Sequence, residues 1–219
     1  MTQTQAQTTW PIGDARNFQG IIAAFRETVE DEWKTPPIRN TAIYLFEECG
    51  EFLSRVNRDN RPFDLRSAPA EEKDDARREA GTALAMLATL ANQFNYFLRP
   101  GYLGNRYDPV EQGGEGRDTL SLAIAIGDLS GDIASRVDTC YREGNYTLTP
   151  ALRDDMDVLL ALLIKAGDVM KFNTFEWMTK FLVSVEYKVA EKRKKKQQAQ
   201  SRAARAAKAE QVQRQENDG

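Results

Sequence analysis

Residues 42–56 read AIYLFEECGEFLSRV. Ala42, Leu45, Phe46, Cys49, Phe52, Leu53 and Val56 recur three and four apart, which is one face of an α-helix. The stripe predicts a helix from Asn40 or Thr41 to about Arg58. Pro36 and Pro37 stand just before it. They stop any earlier helix, because proline lacks the N–H and restricts the residue before it.

The rest of the chain repeats this grammar on both sides. Asp14 can cap a helix over 14–33, with Phe18, Ile21, Ile22, Phe25 and Val29 at helical spacing. A loop rich in Asp, Asn, Pro and Arg fills 59–70. A third helix spans about 71–97, with Ala76, Ala80, Ala83, Leu84, Leu87, Leu90 and Ala91 facing inward. Five glycines and two prolines mark 99–117 as a connector. A fourth helix covers about 118–142, with Asp118 as its cap. Pro150 opens a fifth over 150–170, whose run from Val158 to Ile164 is apolar all round and therefore central. A sixth starts near Asn173 or Thr174. Nothing alternates with period two. The fold class is all-α, a helical bundle of about six helices.

The opening stretch has an echo. Residues 123–137 read AIAIGDLSGDIASRV, and six positions coincide without gaps: Ala42/Ala123, Ile43/Ile124, Gly50/Gly131, Ser54/Ser135, Arg55/Arg136 and Val56/Val137. Glu47 falls on Asp128 and Glu51 on Asp132. In the helices that follow, Arg78-Glu79 falls on Arg153-Asp154, and Thr82 on Asp157. An internal duplication of a helix pair is expected, with halves at about 40–97 and 118–172. Such halves would pack as an intrachain pseudo-dimer, much as two subunits pack in a homodimer.

Composition narrows the chemistry. The chain has 219 residues, 30 Lys+Arg, 33 Asp+Glu and no histidine. Histidine-based triads, imidazole zinc sites and the Glu-x-x-His pairs of di-iron bundles are excluded. Two cysteines, Cys49 and Cys140, cannot build a zinc site or a disulfide framework. They sit in apolar helical patterns and read as buried thiols. No window approaches the length of apolar sequence that a transmembrane helix needs, and Met1 to Thr9 is polar. A cytoplasmic protein without membrane association is expected.

What remains is carboxylate chemistry. Glu47, Glu48 and Glu51 lie within one helical turn, and Glu79 comes near the inward face of the third helix. Asp154 and Asp157, three apart, precede the most apolar segment. Acids this close repel unless a cation sits among them, and an oxygen-only donor set selects Mg²⁺, Mn²⁺ or Ca²⁺. No Walker-type glycine loop is present, so P-loop chemistry is not supported. The bland reading of the same acids is solvated faces paired with Arg55, Arg77 and Arg78.

With these residues in view, the chain resembles the MazG-like, all-α nucleoside triphosphate pyrophosphohydrolases, nearest to the dCTP pyrophosphatase and dimeric dUTPase branch. That family carries Glu-Glu-x-x-Glu and then Glu-x-x-Asp on the next helix. Glu47-Glu48-Cys49-Gly50-Glu51 matches the first part. Glu79-Ala80-Gly81-Thr82 matches the second except at Thr82, which replaces the aspartate with an uncharged hydroxyl. Glu32-Trp33 and Pro37-Ile38-Arg39-Asn40 resemble the approach to the motif in that branch. The resemblance is good over about 18–97, within a MazG-like body spanning 14–190.

The resemblance implies hydrolysis of (deoxy)nucleoside triphosphates to monophosphate and pyrophosphate, with Mg²⁺, or Mn²⁺, as cofactor. Glu47 or Glu48 would accept the proton of the attacking water. Trp33 would stack on a base, Asn40 would read its edge beside Arg39, and Lys171, Lys180 and Lys188 would contact phosphates. Because Thr82 weakens the first half and Leu129 interrupts the second, a composite metal site is expected: Glu48, Glu51 and Glu79 with Asp154 and Asp157. The alternative is a catalytically degenerate bundle that binds or scaffolds without turnover.

The termini differ from the body. Residues 1–13 are polar and expected to be disordered. Residues 187–219 hold ten basic residues (Lys188, Lys192, Arg193, Lys194, Lys195, Lys196, Arg202, Arg205, Lys208, Arg214) and four acids (Glu191, Glu210, Glu216, Asp218). The remainder is correspondingly acidic. The tail, 191–219, has helix-forming composition but no core-forming stripe, so a frayed, solvated or disordered helix is expected. Contact with nucleic acid or an acidic partner is the alternative.

Overall fold

The structure, a computed structural model, describes residues 17–31, 34–57, 70–99 and 115–217, with backbone only for 70–73, 115–118 and 206–217. The N-terminal 1–13, Asp14, Trp33 and most of the two long connectors lie outside the described residues. Six helices follow one another: α1 Phe18–Val29, α2 Ile38–Val56, α3 Ala70–Gln93, α4 Glu115–Arg142, α5 Pro150–Val169 and α6 Thr174–Asn217. The fold is an all-α bundle. Among the described residues no helix is long and apolar enough to cross a membrane.

The ends of the helices follow from local chemistry. Pro37 at φ −53° and ψ 150° turns the chain into α2, and Thr149 Oγ1 accepts from the Leu152 amide one turn into α5, with Pro150 at its first position. Asn173 Oδ1 accepts from the amides of Phe175 and Glu176 at the start of α6. Three helices stop in the same way, with one left-handed residue after the last turn: Asn95 (φ 52°), Gly144 (φ 65°) and Lys171 (φ 58°). Each closure carries an amide-to-carbonyl bond spanning five residues: Tyr96 to Ala91, Asn145 to Cys140, and Phe172 to Gly167. These bonds satisfy carbonyls that a helix end leaves open.

The first helices of the two pairs form the seam. Arg39 meets Asp138, a Cβ at Gly131 would lie 3.4 Å from the Phe46 ring, and one at Gly127 would lie 3.3 Å from Leu53. These partners run in opposite order, so α2 and α4 are antiparallel. Cys49 and Ser130 are hydrogen bonded where they cross. Both are fully buried, and burial pushes the Cys49 thiol up to about 12. α3 folds back against α2, as Gln93 donating to the Pro36 carbonyl and Arg55 facing Asp75 require. α5 folds back against α4, tied by Arg136 to Asp155 at 2.7 Å.

Several residues matched in the two stretches have matched surroundings. Ala42 and Ala123 are buried, as are Val56 and Val137, while Ile43 and Ile124 are exposed. Arg55 and Arg136 each pair with an acid on the following helix. The predicted stripes of α1 and α3 are buried throughout, and Val158 to Leu163 are buried at the centre. Phe46 departs from its stripe. It is 47% exposed, because it rests on Gly131, where the absent side chain leaves it beside solvent. α6 continues as helix to Asn217, with every side chain from Ala190 to Arg205 exposed.

Candidate functional site

The antiparallel pairing of α2 with α3 brings Glu48 to Glu79. The two carboxyl groups share a hydrogen bond. Glu79 is only 4% exposed, Glu48 is half-buried, and Glu47 and Glu51 are exposed beside them. Burial first, then the charges of Glu79, Glu51 and Glu47, push the Glu48 carboxyl up to about 8. Its physical meaning is direct: a second negative charge beside Glu79 is too costly near neutral pH, so a proton stays between them.

One guanidinium borders this group. Arg78 Nη2 lies 2.8 Å from Glu79 Oε1 and 3.4 Å from Asp75, and the field of Glu79, Asp75 and Glu51 raises its basicity. Arg78 and Asp75 were not singled out as site residues from sequence. The signal available was the direct adjacency of Arg78 and Glu79, which reads equally well as a surface pair. Thr82 is buried one turn beyond Glu79, but its hydroxyl donates to the Arg78 carbonyl at 3.0 Å. It is therefore spent on its own helix.

Asp154 and Asp157 do not join the glutamates, and this corrects the composite site. Asp157 is 0% exposed and accepts from Tyr96 Oη (2.6 Å), the Arg99 amide (2.8 Å) and Arg99 Nε (2.6 Å). Asp154 meets the same guanidinium at 3.4 Å. Tyr96 and Arg99 lie beyond the C-terminal end of α3, whereas Glu79 lies fourteen residues before that end, about 21 Å along the axis. The acids of α5 neutralise Arg99 and anchor the exit of α3. Burial and the Asp157 hydrogen bond push the Tyr96 hydroxyl up to about 12, so it stays a donor.

The expected substrate contacts are dispersed. Arg39 is held by Asp138 at 2.7 Å and lies over the Tyr141 ring, and Arg142 shares that aspartate. Arg39 and exposed Asn40 stand at the N-terminal end of α2, about 12 Å along the axis from Glu48. Lys180 pairs with Glu176 and covers the Trp177 ring. It belongs to the helix that crosses α3 at Gly81, where a Cβ would meet the Trp177 backbone at 2.5 Å. Gly81 and Glu79 project about 160° apart around α3, so α6 runs along the side away from the glutamates. Lys188 is exposed farther along α6. Lys171 lines an open cavity of about 620 Å³ at the α5–α6 turn, with Asp168, Phe172 and Asn173. Trp33 lies outside the described residues.

The donor set around Glu48 is all oxygen and suits a hard cation. As the side chains stand, no three acids or cysteines among the described residues are placed to hold a metal ion together. Glu48 is engaged with Glu79, and Glu79 with Arg78. What the arrangement offers is a shared proton in a negative field, open to solvent through Glu47 and Glu51. No family model matches the chain, and no curated protein or solved structure matches it significantly.

Proposed function

We propose that Glu47, Glu48, Glu51 and Glu79 form the site of a Mg²⁺-dependent nucleoside triphosphate pyrophosphohydrolase, releasing monophosphate and pyrophosphate. One observation carries this reading: a half-buried carboxyl is retained among three other glutamates, although an apolar residue would pack there without repulsion. Its support from sequence is the MazG-like spacing of the same four residues.

Glu48, Glu51 and Glu79 would hold the cation. When bound, it neutralises the triphosphate and acidifies water. Freed of its proton when the cation binds, Glu48, or exposed Glu47 beside it, is the carboxylate placed to accept the proton of the attacking water. Arg78, half-exposed beside Glu79, is the guanidinium at hand for a phosphate oxygen. Asp154 and Asp157 take no part.

The reading is tested with the full chain and a panel of nucleoside triphosphates, measuring pyrophosphate release with Mg²⁺ or Mn²⁺. Glu48→Gln and Glu51→Gln should each lower turnover by about 10²-fold or more, the range for losing a general base or a ligand. Full turnover in both variants would remove these residues from the chemistry. Mg²⁺ must displace the Glu48 proton to bind. Its apparent affinity should therefore rise with pH up to about 8 and then level off.

A second reading, nucleotide binding without turnover, draws on the Thr82 hydroxyl being bonded to Arg78 where the family has an acid. It predicts that nucleotide with Mg²⁺ raises the melting temperature while no pyrophosphate appears.

A further inference from the structure

We infer that the exposed basic length of α6 is an arm that enters the major groove of duplex DNA. Val189 is the last buried residue of α6, and from Ala190 to Arg205 every side chain is exposed. From Lys188 to Lys208 the helix carries Lys188, Lys192, Arg193, Lys194, Lys195, Lys196, Arg202, Arg205 and Lys208 against one acid, Glu191. That length is about 30 Å of helix. A duplex presents about one phosphate charge per 1.7 Å, so the same span offers about two phosphates for each cation of the arm.

The distribution of charge selects the groove. Lys192 to Lys196 are five consecutive cations, and at about 100° per residue they surround the helix on all sides. A flat acidic surface reaches only one side of such a helix. A major groove has phosphates along both walls and admits an α-helix. Small alanines at 199, 203 and 204 thin the next described stretch of the arm. A membrane surface requires an apolar face opposite the basic one. Beyond Val189 the helix has a single large aliphatic residue, Val212. Lys188 and Lys192, and Lys192 and Lys196, are like-charged pairs four apart, which destabilise a free helix and are relieved against phosphate. Arg193 donates to the Thr28 carbonyl of α1 at 3.0 Å, so the root of the arm is tied to the body.

The test uses the full chain and anisotropy of a labelled DNA duplex of about 20 base pairs. If five to eight phosphates are neutralised, log K falls against log salt with a slope of about −4 to −7. Lys192→Gln, Lys194→Gln, Lys195→Gln and Lys196→Gln together should weaken binding at least tenfold and flatten the slope by about 3 to 4. Circular dichroism checks that the helix persists, and nucleotide turnover, if present, should be unchanged, since none of these residues belongs to the glutamate site. The inference is overturned if the slope is near zero. It is also overturned if poly-glutamate competes as well as DNA, if phosphatidylserine vesicles bind as tightly, or if duplex RNA, whose deep major groove excludes a helix, binds equally well.

Discussion

Glu48 makes its proton a thermodynamic quantity. Its carboxyl holds a proton up to about 8 in the folded chain, against an ordinary value of 4.5. Between those values the folded state binds more protons than the unfolded one, so stability falls as pH rises through the window and then levels. Glu48→Gln should remove that slope and raise the melting temperature at pH 8 by a few degrees at most, since solvent screens part of the repulsion. Scanning calorimetry across the window reads this directly. Asp157 contributes through its hydrogen bonds instead. It satisfies three donors while fully buried. Asp157→Ala should cost about 2–4 kcal/mol by leaving Tyr96 and Arg99 without their acceptor, measured by urea unfolding. The acids of α2 and Glu79 were legible in sequence because their spacing is local. The role of Asp157 was not, because its partners lie 58 and 61 positions away, one at the expected end of the third helix and one at the start of the connector. The family resemblance implies a phosphate contact for Lys171. Its left-handed backbone, which closes the end of α5, is a role that charge-based reading does not detect.

At the scale of helices, apolar periodicity located all six elements, and the Asn173 and Pro150 signals placed two starts. Boundaries moved where capping was backbone-driven. α3 ends at Gln93 because Asn95 takes the left-handed turn, although the apolar and polar pattern continues. Two glycines that look alike in sequence separate sharply in the fold. Gly81 lets the backbone of α6 pass α3, whereas a Cβ at Gly50 meets nothing within 4 Å. Gly81→Ala should therefore destabilise by about 2–3 kcal/mol, because the opposing atoms are backbone and cannot swing aside. Gly50→Ala should be neutral or stabilising by about 0.5–1 kcal/mol through helix propensity. Thermal melts of the two variants, side by side, check the difference.

At the scale of the molecule, the two helix pairs meet along α2 and α4 and are closed by α1 and α6. The two similar stretches lie along this seam, where Gly127 and Gly131 receive Leu53 and Phe46. The two sets of acids diverge. Sequence alignment superposes Glu79 on Asp154, but superposed positions in a repeat occupy separate places in space. Stability should also be uneven along the chain. Amides of 80–91 and 158–163 lie in buried helix and should exchange only on global unfolding. Amides beyond 192 lie in a helix with no buried side chain through 205 and should exchange by local opening, many orders faster. Hydrogen exchange followed by peptide mapping measures both classes in one experiment.

Cys49 at the crossing of α2 and α4 has a practical consequence. Cys140 is partly open, while Cys49 is sealed with a thiol far from its reactive thiolate form. A thiol reagent should label Cys140 promptly and Cys49 only when the seam parts. The ratio of the two labelling rates then times the separation of the helix pairs, using no residue that the protein does not already possess.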